Sequence, residues 1–345
     1  MTSAPSRAPR VLGLDAARGL AVVAMVVAHA LPFISERVSS GVTFLLLQVN
    51  DLASPLFALV MGVAAGLVFP GPSTSRGLAR AGVRGVALIL LGVGLEQLDH
   101  WVAVILHVLG LLVIVGTPLV LLGSRWLLGI AAALVLVGPT VIEAVTRAAG
   151  GEAGGAAPTA GWAGNPVVEW LVLNTHYRVL TLLPLFLIGA VLARRGLDDE
   201  RASWWCLMGG MAMLWASFAV ELLGWPVVFS GDHTDQLQEN GLALAAYGLV
   251  MATAIAGARR GVRHVVLGPL ALIGTVALSL YVAHVALLVP VIPAFPDGGW
   301  LPFALFVGVS VLAAWGWARF VGRGPLEVLL DRMSPPRRPP VRVPA

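Results

Sequence analysis

Three ionisable side chains lie within one apolar stretch near the start of the chain: Asp15, Arg18 and His29. The stretch is long enough to form a membrane-spanning helix, where ionisable groups are costly, rare and usually functional. At about 100° per residue, Arg18 and His29 point within about 20° of each other, and Asp15 lies about 40–60° away. The three side chains are therefore predicted on one side of the helix, with Arg18 and His29 about 16 Å apart along its axis.

This polar stripe has three interpretations from the residues alone. It could carry out catalysis or bind a ligand. It could instead be a buried structural ion pair between Asp15 and Arg18 with His29 as a bystander, or part of a transport path.

The composition identifies the class of protein that must position these residues. The chain has 345 residues, of which 58% are hydrophobic and only 12% charged, whereas soluble proteins carry about 25% charged residues. We therefore expect an all-α, polytopic membrane protein. Its basic residues, all of them arginine, cluster in short loops beside apolar segments, which argues against nucleic-acid binding. The single cysteine, Cys206, excludes an intramolecular disulfide.

Ten apolar segments are long enough to cross a bilayer. They lie at residues 11–34, 43–69, 78–96, 101–122, 126–145, 167–193, 203–224, 241–258, 266–290 and 300–320. The sequence predicts one transmembrane domain over residues 11–330, with disordered tails at residues 1–10 and, rich in proline and arginine, at 331–345.

The loop arginines predict the orientation of these segments. If the N-terminus is cytoplasmic, eighteen arginines fall on the inner side and only Arg37 and Arg147 fall in outer loops. Such a bias is typical of membrane proteins with positive inner loops. It predicts ten spans with both termini cytoplasmic.

Further polar residues share the predicted depth of His29 near the outer side. They are Asp51 in the second span, His107 in the fourth, Arg178 at the start of the sixth and His284 in the ninth. Each also has a structural interpretation, as a hydrogen bond between helices or an interfacial side chain. No metal site is expected, because no two histidines lie at helical ligand spacing on one segment.

Acyl transfer is the chemistry that fits this arrangement. A neutral His29 can take a proton from an acceptor hydroxyl or amine, and a carboxylate such as Asp51 could orient it. Arg18 is always charged and suits a phosphate-bearing donor entering from inside. Asp15 is expected to hold Arg18 in place. The long pantetheine arm of a cytoplasmic acyl-CoA could then reach from Arg18 towards His29.

Several motifs resemble known membrane acyltransferases. The opening "RVLGLDAARGLAVVAMVVAH" and the following "DLASPLFALVMGVAAGL" resemble heparan-α-glucosaminide N-acetyltransferase-like and YeiB-like proteins. The ten residues between Arg18 and His29 are similar to the signature of acyltransferase family 3. The segments "RVLTLLPLFLIGAVLARRG" and "ALSLYVAHVALL" resemble later helices of these families, the second with Tyr281 and His284. "GPLEVLLDR" resembles the end of the YeiB-like proteins.

The resemblance implies a transmembrane acyltransferase that uses acyl-CoA, often acetyl-CoA, and an acceptor across the membrane. His29 would be catalytic and Arg18 would contact the donor. On the acceptor side, Tyr281, His284, Arg178 and His107 are the candidate substrate-binding residues. The expected acceptor is a sugar, glycolipid or cell-envelope glycan, and the expected location is the plasma membrane of a bacterium.

Other functions remain compatible with the sequence. A transporter or flippase would require discontinuous helices in two corresponding halves, and no such repeat is visible. A non-enzymatic assembly or sensor protein is the other alternative, which the YeiB-like resemblance leaves open. Transfer to a hydroxyl or to an amine, the acyl length and homodimer formation are not decided by the sequence.

Overall fold

The described part of the chain folds almost entirely into helices. A computed structural model describes residues 9–69, 74–261 and 265–334, and no strand occurs among them. Thirteen α-helices follow in order: α1 Pro9–Ala30, α2 Ser40–Val68, α3 Thr74–Leu95, α4 Leu106–Leu119, α5 Ser124–Ala148, α6 Pro166–Val168, α7 Val179–Arg195, α8 Glu200–Leu222, α9 His233–Arg260, α10 Leu267–Gly274, α11 Ala277–Ala294, α12 Trp300–Gly316 and α13 Pro325–Met333. The predicted all-α class is confirmed.

Eight helices in the described residues are long and apolar enough to cross a membrane. They are α1, α2, α3, α5, α8, α9, α11 and α12. Helices α4 and α7 are shorter, with 14 and 17 residues, and match the two remaining predicted segments. The chain is therefore a polytopic, all-α membrane protein, as predicted, and eight of the ten predicted segments contain a helix of spanning length in the described residues.

Two predicted spans differ in detail from the helices observed. The segment 266–290 is divided into α10 and α11 at Thr275 and Val276, where the amides bond to carbonyls three residues back. The span predicted from residue 167 becomes regular only at Val179, because the Asn174 side chain accepts hydrogen bonds from two following amides and turns the chain. Hydropathy gives no clear sign of the first break, whereas a polar run at residues 174–178 marks the second.

The predicted tails fall partly within the helices. Helix α1 begins at Pro9, and α13 continues to Met333, past the predicted start of the C-terminal tail at residue 331. Residues 1–8 and 335–345 of the two tails lie outside the described residues.

Glycines allow the central helices to pack backbone against backbone. A Cβ atom at Gly19 of α1 would overlap the carbonyl oxygen of Leu270, and one at Gly274 would overlap that of Asp15. Gly62 of α2 packs in the same way against the backbone of Phe186 in α7. Small residues allow such close approach between membrane helices. Helix α1 is thereby held against α10 at the level of Asp15.

Contacts between helix ends define the two ends of the bundle. At one end Arg194 bonds to the Val120 carbonyl, Arg259 pairs with Glu200, and Arg84 pairs with Asp331. We call this the arginine-rich end. The other end, which we call the histidine end, contains His29 and the segments that follow α1 and α11. There the Gly299 amide donates to the Phe33 carbonyl at 2.6 Å, and Arg37 donates to the Asp297 carbonyl at 2.7 Å. These contacts bring the two segments together.

Candidate active site

The structure brings two predicted site residues, His29 and His284, into direct contact. His29 lies in the last turn of α1 and His284 in the second turn of α11. Nδ1 of His29 and Nε2 of His284 are 2.8 Å apart, a hydrogen-bond distance. The rings stack with centroids 5.0 Å apart and an interplanar angle of 15°. Only 9% of His29 and 1% of His284 is exposed, so the pair is shielded from solvent.

The hydrogen bonds determine which nitrogens carry protons in this pair. Nδ1 of His284 faces the Leu280 carbonyl oxygen at 3.0 Å. Because a carbonyl only accepts, this nitrogen must carry the proton, which leaves Nε2 of a neutral His284 as an acceptor. His29 must then donate from Nδ1 to Nε2 of His284. In the neutral state, Nε2 of His29 is therefore left with a free lone pair.

Tyr281 and the loop between α3 and α4 enclose the histidine pair. The Tyr281 hydroxyl accepts a hydrogen bond from the Ile105 amide at 3.2 Å, and its ring meets His284 edge to face at 5.3 Å. Trp101 of the same loop donates from Nε1 to the His29 carbonyl at 3.0 Å. The predicted residue Tyr281 thus lies in the site, where it positions rings and loop.

Arg18 and Asp15 form the second part of the predicted stripe. Nη1 of Arg18 donates to Oδ1 of Asp15 at 3.1 Å, one helical turn away. About 30% of the Arg18 side chain is exposed, compared with 11% for Asp15. The pair lies towards the arginine-rich end of α1, and the Arg18 side chain is only partly buried.

Asp51 does not contact His29, although the sequence suggested that it could orient this histidine. Its two oxygens accept hydrogen bonds from Asn50 and Gln238, both at 3.0 Å. Asp51 is directed away from His29 because this part of α2 faces α9. The hydrogen-bond position at Nδ1 of His29 is taken instead by His284 of α11. Depth along a helix is predictable from sequence, but the facing neighbour is not.

Arg178 lies with Asp51 in a separate group rather than beside His29. Its guanidinium donates to the Ser230 carbonyl and interacts electrostatically with Asp235 and Glu239 of α9. Glu239 also lies within the electrostatic range of Asp51. We call Asp51, Asp235 and Glu239 the acidic cluster. Glu239 was not predicted as a site residue, because it lies in the polar connection just before the eighth apolar segment.

His107 packs against a different aromatic side chain, Trp170. The ring centroids are 4.8 Å apart, and Nδ1 of His107 lies 3.5 Å from Oε1 of Glu96. Only 1% of His107 is exposed, and neither ring nitrogen has a hydrogen-bond partner. Trp170 and Glu96 were missed because a single tryptophan or a glutamate ending an apolar run is common in membrane proteins.

Helix α13 supplies a carboxylate to the start of α11. Glu327 accepts hydrogen bonds from the amides of Leu278 and Ser279 at 2.8 and 3.2 Å and from the Ser279 hydroxyl at 2.5 Å. The first amides of a helix have no partner within it. Glu327 satisfies two of them after the break that precedes α11, and so fixes the helix that carries His284.

Asp331 anchors the same short helix at the arginine-rich end. It accepts hydrogen bonds from Arg80 at 2.5 Å, from Arg84 and from Arg323. Partial burial acts to raise the pKa of Asp331, but the hydrogen bond from Arg323 and the neighbouring arginine charges hold the pKa below its usual value. The negative charge of Asp331 is thereby favoured.

Among the residues that the structure describes, no group of three histidine, cysteine or acidic side chains is arranged to hold a metal ion.

A comparison with protein-family models identifies the chain. The model of the acyltransferase domain of family 3 matches residues 11–319, a range that contains the histidine pair, Arg18 and the loop between α3 and α4. Curated proteins gave no match. The chain belongs to acyltransferase family 3 and is a membrane acyltransferase.

Proposed function

We propose that the protein transfers an acyl group, most simply acetyl, from cytoplasmic acyl-CoA to a hydroxyl or amine of an extracytoplasmic sugar or glycolipid. The observation that carries this proposal is the proton arrangement of the histidine pair. Nε2 of His29 has a lone pair to which no described residue donates a hydrogen bond.

His29 acts as the general base in this reaction. Nε2 accepts the proton of the acceptor hydroxyl while the oxygen attacks the thioester carbonyl carbon. Collapse of the tetrahedral intermediate breaks the carbon–sulfur bond and releases the thiolate of coenzyme A. The imidazolium then returns its proton to that sulfur, so His29 ends the cycle neutral.

His284 positions the base rather than touching the substrate. Its Nε2 holds the Nδ1 proton of His29, and the Leu280 carbonyl in turn holds His284. This chain of two hydrogen bonds selects one tautomer of His29, as the third member of a catalytic triad does for its histidine. The required acceptor for Nδ1 is here a neutral ring, which keeps charge out of an apolar setting.

Arg18 is proposed to receive the donor. Its side chain is partly exposed and is held by Asp15, and a fixed positive charge suits the phosphates of coenzyme A. Arg18 and His29 are eleven positions apart, about 16 Å along the helix. The excess of arginine at this end supports a cytoplasmic orientation for it, in a bacterial plasma membrane.

The test is transfer of radiolabelled acetyl from acetyl-CoA into membranes that contain the protein. We expect label in a sugar-containing fraction with the wild type, and at least a hundredfold less with His29→Ala, as for loss of a general base. Arg18→Ala should raise the apparent KM for acetyl-CoA. The matched controls are His176→Ala and Arg76→Ala, two exposed side chains that the proposal does not use.

Two results would refute the proposal. One is undiminished label with His29→Ala. The other is label in the wild type that depends on neither Arg18 nor His29 while both control variants behave as the wild type does.

A further inference from the structure

The segment before α7 places an aromatic ring over a buried histidine that lacks hydrogen bonds. Residues Glu169–Leu173 form one turn of π-helix, a rare conformation that is frequent at functional sites. This turn puts Trp170, half-buried, against His107 with ring centroids 4.8 Å apart. The turn is followed by Asn174, whose side-chain oxygen accepts hydrogen bonds from the amides of His176 and Tyr177.

His107 is the second observation that points to a ligand here. Only 1% of His107 is exposed, and both of its ring nitrogens lack a hydrogen bond. Buried polar atoms are nearly always paired in native proteins, so an unpaired one indicates a missing partner such as a ligand or water. Its Nδ1 faces Oε1 of Glu96 at 3.5 Å, too long for a good hydrogen bond.

The carboxylates of Glu96 and Glu169 lie close to this histidine, and no described arginine forms an ion pair with either of them. The two carboxylates interact electrostatically with each other. Partial burial and the charge of Glu169 raise the pKa of Glu96, and His100 opposes this. Two neighbouring carboxylates repel each other, which costs free energy, and a ligand that donates hydrogen bonds to them would offset this repulsion.

This group is continuous with the histidine pair. Glu96 begins the loop whose Trp101 bonds to the His29 carbonyl and whose Ile105 bonds to Tyr281. His100 of the same loop lies within the electrostatic range of both His29 and Glu96. A molecule held by Glu96 would therefore lie at the same end of the bundle as the proposed general base.

From this geometry we infer that Glu96, His107, Glu169 and Trp170 bind the acceptor, and that the acceptor is a pyranose that is neutral or carries an amino group. A pyranose presents a C–H face to an indole ring and hydroxyl donors to carboxylate oxygens and to an imidazole nitrogen. That the bound sugar is the acyl acceptor rests on the proposed function.

Charge is the basis for excluding anionic sugars. The acidic cluster of α2 and α9 lies in the same half of the bundle as Glu96 and Glu169. Two tyrosines connect the two groups: Tyr281 is within electrostatic range of both Glu96 and Tyr177. Tyr177 is in turn within electrostatic range of Asp51 and Glu239. Arg178 is the described arginine that interacts with this cluster. Uronic acids and phosphorylated sugars would be repelled, whereas a protonated amino sugar would be attracted.

The test measures binding separately from transfer. The full-length protein in nanodiscs is titrated with methyl glucoside, methyl glucosaminide, methyl glucuronide and methyl glucoside 6-phosphate, and binding is followed by saturation-transfer NMR and calorimetry. We expect the neutral and amino glycosides to bind and the two anionic ones not to. Trp170→Ala and Glu96→Gln should each weaken binding roughly tenfold, as expected for loss of one good contact.

Matched variants separate a binding role from a folding role. Trp170→Phe keeps an aromatic face and should retain most of the affinity. Trp162→Ala and Glu152→Gln remove an exposed indole and an exposed carboxylate from the same connection between α5 and α7 and should bind as the wild type does.

Three results would overturn the inference: no binding of any glycoside by the wild type, preferred binding of the anionic ones, or wild-type affinity in Trp170→Ala. Transfer of labelled acetyl is measured on the same samples. Sugar binding without acetyl transfer would refute the proposed function but would still support the sugar-binding site. Acetyl transfer together with wild-type sugar affinity in Trp170→Ala would support the proposed function and refute the sugar-binding site.

Discussion

Replacing His284 with leucine tests whether His29 depends on its neighbour for its proton arrangement. Leucine fills a similar volume but accepts no hydrogen bond, so the Nδ1 proton of His29 loses its partner at 2.8 Å. A buried donor without a partner costs about 1–3 kcal/mol. Because each 1.4 kcal/mol is about a factor of ten, kcat should fall about 5- to 150-fold. The KM for acetyl-CoA should stay unchanged, since Arg18 lies about 16 Å from His29 along the axis of α1.

The glutamine variant distinguishes this explanation from simple loss of packing. In His284→Gln the side-chain oxygen can still accept from Nδ1 of His29, so kcat should recover to within about tenfold of the wild type. Acetyl transfer and thermal unfolding are measured on the same purified samples. Equal activity of the leucine and glutamine variants, with equal melting temperatures, would refute the reasoning. So would wild-type kcat in the leucine variant.

Three further predictions concern stability, measured by thermal unfolding in detergent micelles or nanodiscs. Glu327→Gln should destabilise the protein by about 1–2 kcal/mol, because it removes a charged acceptor from the first amides of α11. Because folding lowers the pKa of Asp331, its contribution is complete above the unfolded-state pKa and is lost as the pH falls through the lower folded value, below about pH 4. Asp331→Asn should remove that part of the acid sensitivity, and an unchanged pH profile would contradict this. Gly62→Ala should destabilise by about 1–3 kcal/mol, since the new methyl group meets the backbone of Phe186; Gly41→Ala, in open space, should have no such effect.

The sequence was sufficient for the helices and for the depth of the main site residues. Hydropathy predicts the segments that form most of the long helices, and the number of residues from each segment's start predicts one common depth for His29 and His284. Depth follows from the rise per residue, which is nearly constant in a helix. This is why the common depth of the two histidines, although not their contact, could be predicted.

The direction in which helices face each other could not be predicted in the same way. Asp51 has a depth similar to that of His29, yet it bonds to Gln238 on α9. The division between α10 and α11 was missed because Thr275 and Val276 do not interrupt the hydropathy. Both outcomes depend on close contacts such as that between Gly274 and the Asp15 carbonyl, and these exist only once the helices have assembled.

The dependence of α11 on Glu327 has a consequence for biosynthesis. The amide of Leu278 and the carboxylate that receives its hydrogen bond are 49 residues apart, so the ribosome adds the acceptor long after the donor. In a bilayer, an unsatisfied backbone amide costs several kcal/mol. Until α13 has been synthesised, the start of α11 must find water or another temporary partner. The helix that carries His284 can therefore settle only after nearly all of the chain has been translated, and a chain released before Gly324 would lack the group that completes it.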